Sequence, residues 1–340
     1  MANHVIIIAE AGVNHNGDFN MAMQLIDAAA QAGADYVKFQ TFKADKLASK
    51  QAPKADYQAR NINDSDNSQY QMLKKLEMPE EWHYKLKEYA QQKSIGFLST
   101  GFDEESIDFL ETLGIDIYKI PSGEITNKPY LQHIGRKGKP VILSTGMADI
   151  DEVEEALNVL LQVGLPKSNI TVLHCNTEYP TPMGDVNLLA MNEIGLRLGV
   201  KIGYSDHTLG IEVPIAAVTL GASVIEKHYT LDKNLPGPDH RASLEPKELC
   251  AMVTAIRNIE QAISGSGKKT PSQSEIPNKY KGRKSIHYKQ ALTTGTKIKA
   301  EHLIMLRPGT GISPMQIDTF IGKTLTRNVD ALALMDLNDF

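Results

Sequence analysis

Two stretches, "IGYSDHT" (Ile202 to Thr208) and "VIEKHYT" (Val224 to Thr230), begin as apolar, buried-strand runs and end on an imidazole, His207 and His228. Delivered from the ends of adjacent strands, two imidazoles can bind one divalent cation and leave positions open for water or substrate, which is a Lewis-acid site. Without thiolates the pair suits Mn²⁺, or another exchangeable cation such as Mg²⁺ or Co²⁺, better than a structural Zn²⁺. A lone histidine at either place would be read first as a hydrogen-bonded structural residue. Their pairing shifts that reading.

A second set of side chains has phosphate chemistry. Thr100, Ser122, Ser144 and Ser205 supply short donors, and Lys119 supplies a point charge, which together match the oxygens of a phosphate. Any one of these hydroxyls alone reads as capping or turn chemistry. Glu10 and Glu124 are candidates for orienting hydroxyls or moving protons, against the plainer role of buried partners for Lys38 or Lys119. The loop "NLPGPDHRAS" holds Asp239, His240 and Arg241 in a turn stiffened by Pro and Gly, either a solvated loop or a sugar-binding one. His174 and Cys175 do not form a nucleophile pair, because neighbours on a strand face opposite ways.

Positioning these groups requires a particular frame. Apolar runs at Val5–Ala9, Tyr36–Gln40, Gly96–Thr100, Ile117–Pro121, Val141–Thr145, Ile170–His174, Val200–Tyr204 and Ser223–Lys227 alternate with segments of helical period. Repeated βα units of this kind build a parallel sheet, and eight of them close a (β/α)₈ TIM barrel whose active site lies at the C-terminal strand ends. The polar groups above cluster at those ends. Asp103 and Gly114 bracket one helix, and Pro79 with Glu80 and Glu81 opens another. The second connection, from Thr41 to about residue 72, is long enough to read as a binding loop or lid.

The barrel is expected over residues 1–266. Residues 267–283 are rich in Gly, Ser, Pro and Lys and read as a linker. Residues 284–340 read as a small β-rich domain. The 340-residue chain is 41% hydrophobic and 23% charged, an ordinary globular composition, and no run is long enough for a membrane helix. A net charge of -5 gives no large positive field for nucleic acid or acidic membranes. Two cysteines and an N-terminus without a secretory pattern make the cytoplasm the expected compartment.

The motifs "AEAGVNHNGD", "VKFQTFKADKL", "YKIPSGEITN", "LSTGMA", "LHCNTEYPTP", "GYSDHTLG", "IEKHYTLDK", "PGPDHRAS" and "RPGTGIS" occur in the order found in one family. The chain resembles bacterial sialic acid synthases, the N-acetylneuraminate and legionaminic acid synthases, along nearly its whole length. The resemblance implies condensation of phosphoenolpyruvate with an N-acetylated amino sugar, N-acetylmannosamine first and the legionaminic acid precursor as the alternative. It implies that His207 and His228 hold the cation against the sugar aldehyde. Lys38, Thr100, Lys119, Ser122, Ser144, Asn176 and Ser205 would then surround phosphoenolpyruvate. Glu10 and Glu124 would serve catalysis, with Gln40, Tyr179 and Asp239 on the sugar. The last domain resembles the antifreeze-protein-like (SAF) module of the family, which implies a domain-swapped homodimer in which Arg307 reaches the partner's sugar site. Gly101 stands where the family commonly has proline, and Asn176 lies one position earlier than in some members.

Two other classes compete. A Schiff-base aldolase would use Lys38, Lys119 or Lys227, and a non-catalytic carbohydrate-binding protein would rely on the last domain.

Overall fold

The computed structural model describes residues 4–62 and 65–340. Asn63 and Asp64, within the long second connection, lie outside the described residues. The chain divides into two compact units, Met1–Gly265 and Ser266–Phe340.

In the first unit the strands are β1 (Ile6–Gly12), β2 (Tyr36–Thr41), β3 (Gly96–Gly101), β4 (Tyr118–Ile120), β5 (Val141–Ser144), β6 (Ile170–Cys175), β7 (Lys201–Asp206) and β8 (Val224–His228). They form one eight-stranded sheet in the order β3-β2-β1-β8-β7-β6-β5-β4, and every ladder is parallel. β3 and β4, at the two ends of that order, pack beside each other and bring the sheet round into the expected barrel. β4 is short because Pro121, just beyond it, has no N–H for the ladder.

Helices wrap the outside, and local chemistry sets their ends. Asp103 caps Glu104–Leu113 by accepting the Ser106 N–H at 2.8 Å, and Gly114 closes it in the left-handed conformation at φ 75°. The helix Glu80–Gln92 starts directly after Pro79. Between sheet and helices lies the main core, with Ile7, Val37, Phe39, Tyr118, Leu143 and Ile225 on the sheet side and Leu25, Leu110, Leu160 and Ile256 on the helix side.

A second, smaller apolar cluster plugs the barrel itself: Ile8, Leu98, Ile142, Leu173 and Val224. Gly203 completes this layer on β7 because nothing larger fits. A Cβ there would come within 2.4 Å of the Val224 carbonyl oxygen and 2.5 Å of Leu173 Cδ2.

The long second connection is not an irregular loop. It folds into helices Ala44–Leu47, Asp56–Ile62 and Gln69–Leu76, pinned by a cluster of Val13, Phe42, Met72 and Leu76.

In the second unit, regular strand is limited to an antiparallel pair, β9 (Ser285–Tyr288) and β10 (Leu303–Leu306). Isolated bridges such as Leu292 with Val329, and a core of Ile286, Tyr288, Ile298, Phe320 and Leu325, complete it. The segment read as a linker is partly structured. Its end forms the helix Ile276–Gly282, which accepts the Gly309 N–H on the Tyr280 carbonyl at 2.8 Å.

The Gly203 contact gives a stability prediction. Gly203→Ala should lose about 1–3 kcal/mol by overpacking, seen as a melting temperature several degrees below wild type. Gly184→Ala, where an added Cβ meets nothing within 4 Å, is the control. Equal melting temperatures for the two variants would contradict the packing argument.

Candidate active site

Side chains alternate along a strand, so the residue two positions after each plug residue lies above it on the same inner face. Ile8 is followed by Glu10, Leu98 by Thr100, Ile142 by Ser144, Leu173 by Cys175, and Val224 by Glu226 and His228. Lys38 and Gln40 on β2 and Ser205 on β7 share this alternation. The result is a polar layer resting on a dry floor.

The layer is held by charge. Lys38 Nζ contacts Glu10 Oε2, lies 2.9 Å from Thr100 Oγ1 and 3.6 Å from Glu226 Oε2. Lys119 Nζ lies 3.3 Å from Glu226 Oε1, which also accepts the Ser205 hydroxyl at 2.8 Å. Burial would raise the Glu226 carboxyl, but Lys119 and Lys38 hold it well below the usual carboxylate range. Burial pushes Glu10 up to about 7, against the pull of Lys38. Burial disfavours the Lys38 charge too, yet Glu10 and Glu226 raise its pKa, so it stays an ammonium.

Ser144 Oγ, Glu10 Oε1 and Glu226 Oε2 are buried with no hydrogen-bond partner among the described residues. Unpartnered polar atoms beside two lysines make a pocket built to receive something polar. Ser122, in the turn after β4, lies 3.3 Å from Cys175 Sγ and accepts the Gly146 N–H at 2.9 Å. Gly146 is needed for that approach, since a Cβ would come within 2.4 Å of Thr177 and 2.9 Å of Ser122 Oγ.

At the mouth the two imidazoles meet, with ring centroids 5.5 Å apart. His207 Nδ1 lies 2.5 Å from the Asn176 carbonyl oxygen. A carbonyl only accepts, so Nδ1 carries the hydrogen and Nε2 keeps its lone pair. His228 Nδ1 is buried without a partner among the described residues, beside Gly12, whose left-handed φ of 53° leaves a gap that a Cβ would fill. Burial lowers His207 to about 4, and burial together with His207 lowers His228 well below its usual value. Both rings are neutral, as ligation requires. Among the described residues no group of three or more His, Cys, Asp or Glu is placed to hold a metal. The two neutral rings, 5.5 Å apart, are nitrogen donors of the kind a divalent cation takes.

Tyr179 lies against His207, centroid to centroid 4.1 Å, and Tyr57 stacks on Tyr179 at 4.8 Å. Asn61 ties the long second connection over the mouth, donating to the Pro238 carbonyl at 2.7 Å and the Tyr179 carbonyl at 3.3 Å. Asp239 is buried in the loop after β8, and burial pushes its carboxyl up to about 7.

Most of the residues singled out from the sequence converge here, but three stand apart. Asn176 turns its carboxamide to its own loop, accepting the Glu178 N–H at 2.7 Å, and it is its backbone carbonyl that meets His207. Glu124 sits outside the lysine–carboxylate cluster, accepting from Asn127 Nδ2 at 2.6 Å. Arg307 belongs to the second unit, where its Nε donates to the Gly282 carbonyl at 2.9 Å and the side chain is exposed.

Sequence reasoning assigned no role to Glu226, although its place two residues before His228 puts it on the same inner face. Tyr57, Asn61 and Gly146 carried no signal of their own, because their roles arise from contacts across the barrel mouth. His174 does face away from Cys175, its Nε2 lying 2.9 Å from the Val186 carbonyl. Gly101, in place of proline, offers its carbonyl to the Tyr130 hydroxyl at 2.7 Å.

Residues 25–269 match the NeuB family and residues 283–335 match the SAF domain. The chain is 52% identical to the N,N'-diacetyllegionaminic acid synthase of Legionella pneumophila, covering 96% of this chain and 91% of that protein. It is also 52% identical to the N,N'-diacetyllegionaminic acid synthase of Campylobacter jejuni, covering 95% and 96%. Among solved structures it resembles N-acetylneuraminic acid (sialic acid) synthetase from Leptospira borgpetersenii in complex with citrate, with a TM-score of 0.70 and 37% identity over 82% of this chain and 90% of that one. With residues 25–269 matching the family model and two relatives 52% identical over nearly the whole chain, the protein belongs to the NeuB family.

Proposed function

We propose that the protein condenses phosphoenolpyruvate with a 2,4-diacetamido-6-deoxy sugar to give N,N'-diacetyllegionaminate, releasing phosphate. N-acetylmannosamine, put first from the sequence, belongs to the same class of reaction, but the two relatives at 52% identity favour the legionaminic acid precursor. The observation that carries the reaction type is the pair of neutral imidazoles standing above a layer of two lysines and unpartnered hydroxyl and carboxylate oxygens.

Phosphoenolpyruvate brings several negative charges. Lys38 and Lys119 meet them, and Thr100, Ser122, Ser144 and Ser205 supply hydrogen-bond donors. Asn176 contributes through its backbone, by orienting His207. A divalent cation such as Mn²⁺, held by His207 and His228, would polarise the open-chain aldehyde. Tyr179, Gln40 and Asp239 orient the sugar. The carbon 2–carbon 3 π pair of phosphoenolpyruvate bonds to the aldehyde carbon as the C=O pair moves to the aldehyde oxygen, which takes up a proton. Water adds at carbon 2 and loses a proton, and phosphate leaves with the C–O bond electrons as the carbon 2 hydroxyl gives up its proton to form the ketone. Glu10, poised at about 7, can accept the proton that the water gives up. Glu124, which accepts from Asn127 Nδ2 in the turn after β4, is the second carboxylate proposed to serve catalysis.

Schiff-base chemistry is disfavoured at Lys38 and Lys227. Lys38 is held as an ammonium by Glu10 and Glu226, and Lys227 is on the opposite face of β8. The match of the second unit to the SAF domain underlies the proposal of a domain-swapped homodimer. Arg307, exposed and tethered only through its Nε to the Gly282 carbonyl among the described hydrogen bonds, would reach the partner's sugar site in that dimer. Two free cysteines, and no helix among the described residues long and apolar enough to cross a membrane, fit a cytoplasmic enzyme.

His207→Ala or His228→Ala should fold normally by circular dichroism yet lower kcat at least about a thousandfold, since Lewis-acid activation contributes several kcal/mol. EDTA should abolish wild-type turnover and Mn²⁺ restore it; activity that survives complete demetallation would refute the cation's role. Comparing kcat/KM for the diacetamido sugar and N-acetylmannosamine decides the substrate, and a clear preference for the second would reverse our choice. Arg307→Ala should raise the sugar KM far more than the phosphoenolpyruvate KM. Equal rises in both would remove the basis for its assignment.

A further inference from the structure

Asp206 and Lys227 stand immediately before His207 and His228, so strand alternation sends them to the opposite face of β7 and β8 from the imidazoles. They pair in register at the last shared rung of the two strands. Both side chains are 0% exposed, and Lys227 Nζ contacts Asp206 Oδ2. The same ammonium donates to the Thr208 carbonyl at 2.5 Å. Asp206 in turn accepts the Thr208 N–H at 3.1 Å and the Thr208 hydroxyl at 3.0 Å. The bonds bracket His207, holding the backbone on both of its sides to the strand that carries His228.

Stability alone does not call for such a pair. Removing two charges from water is costly, and an apolar pair of similar volume in their place is often neutral or stabilising. What charge and hydrogen bonding add is direction. Lys227 ties a residue beyond the end of β7 to β8, which apolar packing would leave free to shift.

We propose that Asp206 and Lys227 are positioning residues that fix the spacing and orientation of the His207 and His228 rings. Neither touches substrate; they act through the backbone at 206–208. This rests on the reading of the two rings as a cation site, where outer partners of ligating histidines commonly change metal affinity by about 10–100-fold.

The test compares full-length wild type, the apolar double variant Asp206→Leu/Lys227→Met, and Asp206→Asn, which keeps an amide oxygen for Lys227 and Thr208. Mn²⁺ affinity is read from the electron paramagnetic resonance signal of the free ion. Phosphoenolpyruvate binding is read without metal from its thermal shift. The double variant should lose Mn²⁺ affinity by about tenfold or more while binding phosphoenolpyruvate as wild type does, and Asp206→Asn should lie between.

Wild-type Mn²⁺ affinity in the double variant, or a parallel loss of phosphoenolpyruvate binding, would overturn the inference, because a general structural role weakens both. If the double variant does not fold, Asp206→Asn decides by the same split between the two ligands. If wild type binds no Mn²⁺, the cation reading fails by itself. Crystal structures of wild type and variant then decide the positioning role, which is lost if the rings keep their 5.5 Å centroid separation without the pair.

Discussion

Charge enclosed above an apolar floor governs this barrel. Two lysines and two carboxylates sit where water is nearly excluded, and burying an uncompensated ion there would cost several kcal/mol. Glu226 meets that demand by facing both lysines, and Lys38 adds Glu10. Burial pushes the Glu10 carboxyl up to about 7 while Lys119 and Lys38 hold Glu226 well below the usual range. Two lysine side chains gathered in this layer provide a local attraction for an anion in a chain of net negative charge.

The same barrel separates two chemistries by height. Lysines and hydroxyls occupy the layer just above the plug, and the imidazoles stand two residues higher on β8 and just past the end of β7. A substrate pair stacked along the barrel axis would put a phosphate-bearing partner below and a carbonyl-bearing partner above. The wall at that upper level is aromatic and amide-rich, from Tyr179, Tyr57 and Asn61, and comes from loops rather than strands. Loop-borne walls of this kind tolerate change more readily than the strand-borne layer beneath them.

Along β7 and β8, inner and outer faces divide the work. Ser205, His207, Glu226 and His228 face the reaction space, and Asp206 and Lys227 between them bond to each other behind it. A sequence reader sees "SDH" and "EKH" as runs of polar residues. The fold resolves each run into alternate faces, one exposed to ligand and one sealed.

The sequence by itself determined the strands, their alternation with helices and the inner-face residues, because a period of two is written directly in residue order. From that period Lys38, Thr100, Ser144, Ser205, Glu226 and His228 could all be placed at strand ends, although no role followed for Glu226. Only the tertiary structure decided which groups meet. The carboxylate between Lys38 and Lys119, the Asn176 carbonyl that sets the His207 tautomer, and the stacking of Tyr57 on Tyr179 join residues far apart in the chain. The same limit applies to the long second connection, whose three helices depend on contacts with Val13 and on the Asn61 tie to Pro238. Local propensity is read from neighbours in sequence, whereas burial, tautomer and charge balance depend on neighbours in space.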